Sequence, residues 1–373
     1  MKFSTLFLKT KNEHLTKDVG AIPYFLNKSF NYSTEIITYN NESSYSNYNQ
    51  FLKHVNFTFV SKSLLGEIFD GGYYLIKQGR KIDILNLYHL SIKSFIWACV
   101  YKIINKNGFI YLKSDASFNS VYKIRKNLVK KIIMILLFKL SDIISVESKA
   151  IMTALKRVID REYLLIPNGF FEYKNQNLLS QKENCFLFVG RVDSPQKNVE
   201  LLVDAFFNSR VEKKWTLKLV GPCSKEFKFK ILNKFERLNG DKNNRLEFLG
   251  PVYDRQKLQL IYEKSAIFVL PSNKNESYGI VLVEALSNGC YLISSDNVPP
   301  FKEITDNYKY GICVDIQNKH NLENALYEAS ISHVNDELRI QEQIKYANRA
   351  FLWNLIVSKL NDSIKERLKN KIN

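Results

Sequence analysis

Apolar and polar positions along this chain alternate between short runs of strand character and longer stretches of helical period. In the second half the apolar runs are Cys185–Val189, Thr216–Val220, Leu246–Leu249, Ala266–Leu270, Tyr291–Ser294 and Gly311–Val314. Helical patterns begin between them near Asn198, Lys225, Arg255, Tyr278 and Pro300, and last helices run from about Asn335 to Lys369. This alternation predicts right-handed crossovers and a parallel sheet covered on both faces. The first half repeats the pattern less cleanly, with strands predicted at Phe3–Leu8, Glu35–Tyr39, Ile82–Tyr88, Gly108–Leu112 and Ile143–Val146. A glycine-bearing helix start, Gly20-Ala21-Ile22-Pro23, follows the first of these. The polar, aromatic segment 40–56 receives no assignment. The polar stretch Asn175–Glu183 is the predicted hinge.

Length turns this pattern into two domains, because 373 residues exceed one ordinary domain. The predicted division is 1–170, joined by a C-terminal helix over about 350–373, and 175–349. No apolar run reaches the length of a membrane span, and the N-terminus Met1–Lys9 lacks the apolar core and cleavage site of a signal peptide, so a cytoplasmic protein is expected. The five cysteines form no Cys-x-x-Cys pair and read as reduced core residues; a zinc site is not expected.

The net charge of +17 is uneven. Residues 1–165 carry 24 Lys+Arg against 12 Asp+Glu, and residues 102–131 hold eight bases and one acid, Asp115. An anionic partner for this half follows as one reading: nucleic acid, an anionic membrane surface or a phosphate-bearing acceptor. A merely solvated basic surface is the other. Within it, Lys123-Ile124-Arg125-Lys126-Asn127-Leu128-Val129-Lys130-Lys131 leads into the apolar run Ile132–Phe138, a combination suited to a bilayer interface or to an ordinary helix packed on the sheet.

Candidate chemistry concentrates in Asn275-Glu276-Ser277-Tyr278-Gly279-Ile280-Val281-Leu282-Val283-Glu284. The strand Ala266–Leu270 precedes it and Pro271-Ser272-Asn273-Lys274 supplies the turn. Glu276 is therefore placed past the C-terminal end of a strand, the edge at which open parallel sheets bind ligands, and Glu284 inside the next helix. That helix is apolar on nearly every side, so a carboxylate on it needs a partner. A ligand hydroxyl is placed ahead of an internal Arg or Lys. Upstream, a second strand ends at Gly190, and a loop carrying Arg191 and Lys197 leads to a helix. Arginine grips phosphate oxygens bidentately, lysine acts as a point charge, and a helix N-terminus adds to the field. No Gly-x-Gly-x-x-Gly, Walker-type loop or Asp-x-Asp pair is present, so fixed positive charge rather than a metal is expected to neutralise a diphosphate.

These residues resemble the retaining glycosyltransferases of family 4, within the group 1 glycosyl transferases. The resemblance covers most of 163–357 and, more loosely, the first half. Leu165-Ile166-Pro167-Asn168-Gly169 resembles the family's Ile-Pro-Asn-Gly crossover, Gly190-Arg191 with Lys197 its phosphate-binding element, and Phe248-Leu249-Gly250-Pro251-Val252 the strand end that reads the base. Glu276 to Glu284 resembles its Glu-x7-Glu signature, and Trp353 the aromatic on the final helix that returns to the first domain. In the first half, Lys17-Asp18-Val19-Gly20 stands at the family's glycine loop, and His89 follows the strand Ile82–Tyr88. Tyr111-Leu112-Lys113-Ser114-Asp115 stands where many members carry a strand ending in histidine; that histidine is missing, and Lys113 or Asp115 takes its place unless the pair is a structural salt bridge.

The resemblance implies the α/β fold GT-B, two doubly wound Rossmann-like domains facing across a cleft. It implies transfer of a sugar, with retention, from a nucleoside diphosphate sugar (UDP or GDP) to a glycan or lipid-linked acceptor, without a metal or other cofactor. Arg191 and Lys197 would stabilise the leaving diphosphate, Glu276 the sugar hydroxyls and Glu284 the ribose. Asp115 is the acceptor-side catalytic candidate. Gly20, Gly190, Pro251, Val252, Ser277, Tyr278, Gly279 and Ile280 would complete the donor site. Cell-surface polysaccharide synthesis at the inner face of the plasma membrane fits such a protein. Rival readings are a nucleotide-sugar epimerase, a non-catalytic partner subunit and a nucleic-acid-binding protein. No aromatic-plus-basic RNA motif or helix-turn-helix pattern supports the last.

Overall fold

The computed structural model describes residues 1–42, 45, 53–172, 181–239, 245–273, 276–332 and 336–372, with the side chains of 235–239 and 372 set aside. Lys274, Asn275 and Asn335, most of the predicted hinge and much of segment 40–56 lie outside the described residues. The chain divides into two compact units: Met1–Phe171 with Phe351–Asn373, and Glu172–Ala350.

Unit 1 is a seven-stranded parallel sheet of β1 (Lys2–Leu6), β2 (Ser33–Thr38), β3 (Asn56–Phe59), β4 (Ile84–Tyr88), β5 (Phe109–Lys113), β6 (Ile143–Val146) and β7 (Leu164–Leu165), ordered β3-β2-β1-β4-β5-β6-β7. Its helices are α1 (Asn12–Leu15), α2 (Asp18–Phe30), α3 (Glu67–Gln78), α4 (Ile92–Ile104), α5 (Phe118–Lys126), α6 (Leu128–Leu140) and α7 (Lys149–Lys156). Alternate strand residues Leu6, Ile37, Leu85, Ile110 and Ile144 share one core with Trp97 of α4, Met134 and Leu137 of α6 and Ile151 of α7. This is the period-two face of a buried sheet.

Unit 2 holds β8 (Glu183–Val189), β9 (Thr216–Val220), β10 (Leu246–Gly250), β11 (Ser265–Leu270), β12 (Tyr291–Ser295) and β13 (Gly311–Val314), ordered β10-β9-β8-β11-β12-β13 and parallel throughout. Its helices are α8 (Val199–Asn208), α9 (Lys225–Asn239), α10 (Arg255–Lys264), α11 (Ile280–Ser287), α12 (Phe301–Ile304), α13 (Lys319–Ser332) and α14 (Glu337–Phe351). Phe186 of β8 and Trp215 anchor one face, with ring centroids 4.6 Å apart. In both units the strand order reverses beside the first strand, which places a topological switch point at that edge.

The chain re-enters unit 1 at Phe351. Phe170 N donates to Phe351 O at 3.0 Å and Trp353 N to Phe170 O at 3.2 Å, starting α15 (Trp353–Ile372). A Cβ on Gly169 would lie 2.4 Å from Phe351 O, so only glycine permits this bridge. Trp353 is fully buried, and α15 packs on α2, where Tyr32 Oη donates to Asn361 Oδ1 at 3.1 Å.

The structure also corrects details of the sequence reading. Strands β3 and β7 and helix α13 were not anticipated, and α11 begins at Ile280 rather than Tyr278. All five cysteines are free thiols, but only Cys185 and Cys290 are buried; Cys99 and Cys223 are half-buried and Cys313 is exposed rather than a core residue.

Candidate active site

In unit 2 three neighbouring strand ends are laced at their C-terminal edge. Gly221 N donates to Gly250 O, Gly190 N to Val220 O and Val192 N to Pro222 O, each at 2.9 Å. A Cβ on Gly221 would lie 1.8 Å from Gly190 O, and its φ of 139° disfavours any side chain. This contact fixes the start of the loop that carries Arg191 and Lys197.

The other neighbour of β8 is β11, and the loops that follow these two strands are joined. Asn273 N donates to Gln196 O at 2.9 Å and Asn273 Nδ2 to Pro195 O at 2.7 Å. The junction brings together two residues 79 positions apart: Lys197 Nζ donates to Glu276 Oε2 at 2.5 Å. Ser272 Oγ donates to the same oxygen at 3.1 Å. The two charged side chains keep 14% and 10% of their surface, so the pair is shielded from solvent yet still open to it. Arg191 is exposed and meets no ion-pair partner among the described residues. Gly279, with φ 72°, turns the chain into α11, where Leu270 and Leu282 crowd within 3.1 Å of any added Cβ. Ser277 is half-buried, Tyr278 is buried, and Pro251 and Val252 follow β10 as an exposed and a half-buried residue.

Glu284 sits on α11 as placed, but both its oxygens have protein partners. Arg255 Nη1 lies 3.1 Å from Oε1, and Tyr262 Oη donates to Oε2 at 3.1 Å. Both partners come from α10. The internal arginine, ranked behind a ligand hydroxyl from sequence, is what the fold supplies. Burial, then the Glu284 charge, pushes the Tyr262 hydroxyl's pKa up, so it remains a donor.

In unit 1 Gly20 is not in a loop. It is the third residue of α2, and a Cβ there would lie 2.0 Å from Leu15 O. Its smallness lets α2 start against the backbone of α1. Lys113 is fully buried at the end of β5, with Nζ 3.0 Å from Glu147 Oε1, 3.7 Å from Asp18 Oδ2 and 3.4 Å from Ile166 O. Burial works against its charge, but Glu147 and Asp18 outweigh it and raise its pKa. Burial raises the pKa of both carboxylates, and Lys113 offsets this in part. Lys113 thus serves the structural salt bridge.

Asp115 differs from Lys113. It follows β5 and pairs with His89, which follows the adjacent β4: His89 Nδ1 lies 3.3 Å from Asp115 Oδ2. Asp115 N also donates to Glu147 Oε1 at 3.0 Å. The edge of this sheet is therefore rich in carboxylates, although the unit as a whole is basic. Sequence reasoning did not foresee the His89–Asp115 pairing, Arg255, Tyr262 or Asn273. Only the pattern of a strand ending in glycine, repeated at Gly221 and Gly250, carried a visible signal.

Residues 169–349 match the family model for glycosyl transferases group 1. A phosphatidyl-myo-inositol mannosyltransferase of Mycobacterium tuberculosis (strain CDC 1551 / Oshkosh) is 26% identical over 206 residues, 52% of this chain and 52% of that protein. The chain thus spans about half the length of the curated relatives it matches. Among solved structures, HepE of Anabaena in complex with UDP has TM-score 0.76 at 15% identity, over 98% of this chain and 100% of HepE. Sucrose-phosphate synthase of Thermosynechococcus elongatus has TM-score 0.75 at 16% identity, over 99% of this chain and 100% of the synthase. With its two parallel sheets and interleaved helices, the chain has the GT-B fold of these structures and, over residues 169–349, carries a domain that matches the glycosyl transferases group 1 family.

Proposed function

We propose that this protein transfers a hexose, with retention of anomeric configuration, from a UDP- or GDP-sugar to a hydroxyl of a glycan or lipid-linked acceptor. The observation that carries this reading is the meeting of Glu276 with Lys197, whose loop also carries the exposed Arg191, at the C-terminal edge of the unit 2 sheet. In the reaction the bond from sugar C1 to the β-phosphate oxygen breaks, and its electron pair leaves with the diphosphate. Arg191 and Lys197 neutralise that growing charge, and the first amides of α11 add to the field. Glu276 holds donor sugar hydroxyls. Glu284, already oriented by Arg255 and Tyr262, presents to the ribose. The acceptor oxygen bonds to C1 on the same face, and its proton passes towards the leaving phosphate.

HepE is itself seen to bind the nucleotide UDP and the sugar nucleotide UDP-glucose. The test is a thermal-shift screen of UDP, GDP and their sugars: a ligand bound only by the native state raises its melting temperature. No stabilisation by any of them would overturn the donor assignment.

A membrane-apposed acceptor is supported by the surface of α5 and α6. Phe118, Tyr122, Leu128, Val129, Ile132 and Leu136 are exposed there. Lys123, Arg125, Lys126, Lys130 and Lys131 lie among them, while Met134, Leu137 and Phe138 anchor α6 in the core. No helix among the described residues is long and apolar enough to cross a membrane, so contact would be interfacial.

A further inference from the structure

We propose that His89, oriented by Asp115, is an acceptor-binding residue whose Nε2 takes the hydrogen bond of an acceptor hydroxyl other than the one that reacts. The inference rests on the glycosyl-transfer reading above and adds a residue to it.

Both residues stand just past the C-terminal ends of adjacent parallel strands, where such sheets bind ligands. Both have left-handed backbones, φ 69° at His89 and 41° at Asp115. Non-glycine residues adopt that region at a cost, and such strain clusters at functional sites. The surrounding fold imposes it: His89 N donates to Lys113 O at 3.0 Å, and Asp115 N to Glu147 Oε1 at 3.0 Å. The two turns bring the side chains together while leaving them 42% and 36% exposed, above a lysine that is wholly buried.

This geometry fixes the imidazole's chemistry. Asp115 accepts from Nδ1, so the neutral ring carries its proton on Nδ1 and a lone pair on Nε2. Nε2 meets no hydrogen-bond partner among the described residues. Phe7 and Tyr88 pack against the ring, with centroids 5.8 and 6.2 Å away.

The charged groups around His89 define its titration. Burial works to lower its pKa; Asp115, and Asp18 of α2, raise it; Lys93 of α4 opposes them. His14 of α1 and Lys17 ahead of α2 lie on the same edge. The net shift is upward from 6.5. The Nε2 lone pair is therefore available above that raised value and lost as pH falls through it.

The test uses the full chain with 15N-labelled histidine, whose five imidazoles are resolved by NMR, with His89→Gln assigning the signal. The expected midpoint for His89 lies above 6.5, falls in Asp115→Asn, and its Nε2 resonance moves on adding methyl α-D-mannopyranoside, methyl α-D-glucopyranoside or octyl β-D-glucopyranoside. A midpoint indifferent to Asp115→Asn, or a resonance unmoved by all three glycosides, overturns the proposal. With UDP-glucose and GDP-mannose as donors and these glycosides as acceptors, His89→Ala is expected to lower kcat/KM for the acceptor by about 10-fold. His89→Gln should retain more activity and lose the acidic limb of the pH profile. An unchanged limb in His89→Gln overturns the proposal. Calorimetry with UDP and GDP keeps the two readings apart, because failure of both nucleotides to bind wild type defeats the donor assignment, whereas the histidine titration still decides the role of His89.

Discussion

Replacing Glu276 with Gln separates the two jobs of the Lys197–Glu276 pair. In the structure Lys197 Nζ donates to Glu276 Oε2 at 2.5 Å, so a diphosphate that draws on Lys197 must compete with that carboxylate. A hydrogen bond to a charged group contributes about 1.5–3 kcal/mol, equivalent to about a 10- to 150-fold change in affinity. Glu276→Gln keeps the side chain's size and an oxygen for Ser272 but removes the charge. UDP or GDP affinity should therefore hold or tighten by up to that factor. Lys197→Met removes the cation and should weaken the same nucleotide by a comparable factor. Sugar transfer should fall in both, by about 10²-fold or more, because each loses a preorganised group at the reacting centre. Calorimetric titration with UDP and GDP, beside turnover of the donor sugar, reads both effects. If Glu276→Gln weakens the nucleotide as much as Lys197→Met does, the pair is structural and the division of roles is wrong.

Other outcomes follow from the same geometry. Arg191→Ala should cut turnover by about 10²-fold with little change in stability, because the guanidinium is exposed; EDTA should not inhibit, and full inhibition reversed by Mg²⁺ or Mn²⁺ would refute the charge-based phosphate site. Gly221→Ala should destabilise by about 1–3 kcal/mol in urea unfolding, because its Cβ meets Gly190 O and its φ is strained. Lys113→Met leaves Asp18 and Glu147 buried without their cation and should cost about 3–5 kcal/mol near neutrality. Its sign with pH is set by carboxylate pKa values raised in the folded state: folded protein holds the protons more tightly, so the penalty grows as pH rises above the unfolded values and shrinks towards pH 4. Wild type should co-sediment with anionic liposomes and release at high salt, and replacing Lys123, Arg125, Lys126, Lys130 and Lys131 with Gln should weaken this; equal, negligible sedimentation with anionic and neutral vesicles would leave the basic face without a membrane role.

The strands that were legible are those buried on both faces. Phe186, Leu187 and Phe188 of β8 and Ile267, Phe268 and Val269 of β11 are almost wholly apolar and fully buried, so hydrophobicity alone reveals them. Strand β3, Asn-Phe-Thr-Phe at the sheet edge, is only partly buried and follows a polar segment, so no apolar run marks it. Strand β7 is two residues long, below any periodic signal. Helix α13 opens Lys-His-Asn and has few apolar positions to count.

At the site, Glu276 and Lys197 were readable because each follows a strand in a loop, and loops after parallel strands share one edge. Their hydrogen bond was not readable, since it depends on β8 and β11 being neighbours and on Asn273 tying their loops. Arg255 and Glu284 belong to different helices, and no local pattern pairs them. His89 and Asp115 meet only because β4 and β5 are adjacent and both chains turn left-handed at their ends.

Glycosyl transfer itself is read by a mass-spectrometric transfer assay. Purified protein is incubated with UDP- and GDP-hexoses and a glycolipid fraction, and both nucleotide and acceptor are followed. One donor is expected to release its nucleoside diphosphate in step with an acceptor that gains one hexose in the retained anomeric configuration, with Arg191→Ala and Lys197→Met each cutting the product by about 10²-fold or more. Conversion of a nucleotide sugar to its epimer, with no acceptor gaining a hexose, would contradict glycosyl transfer.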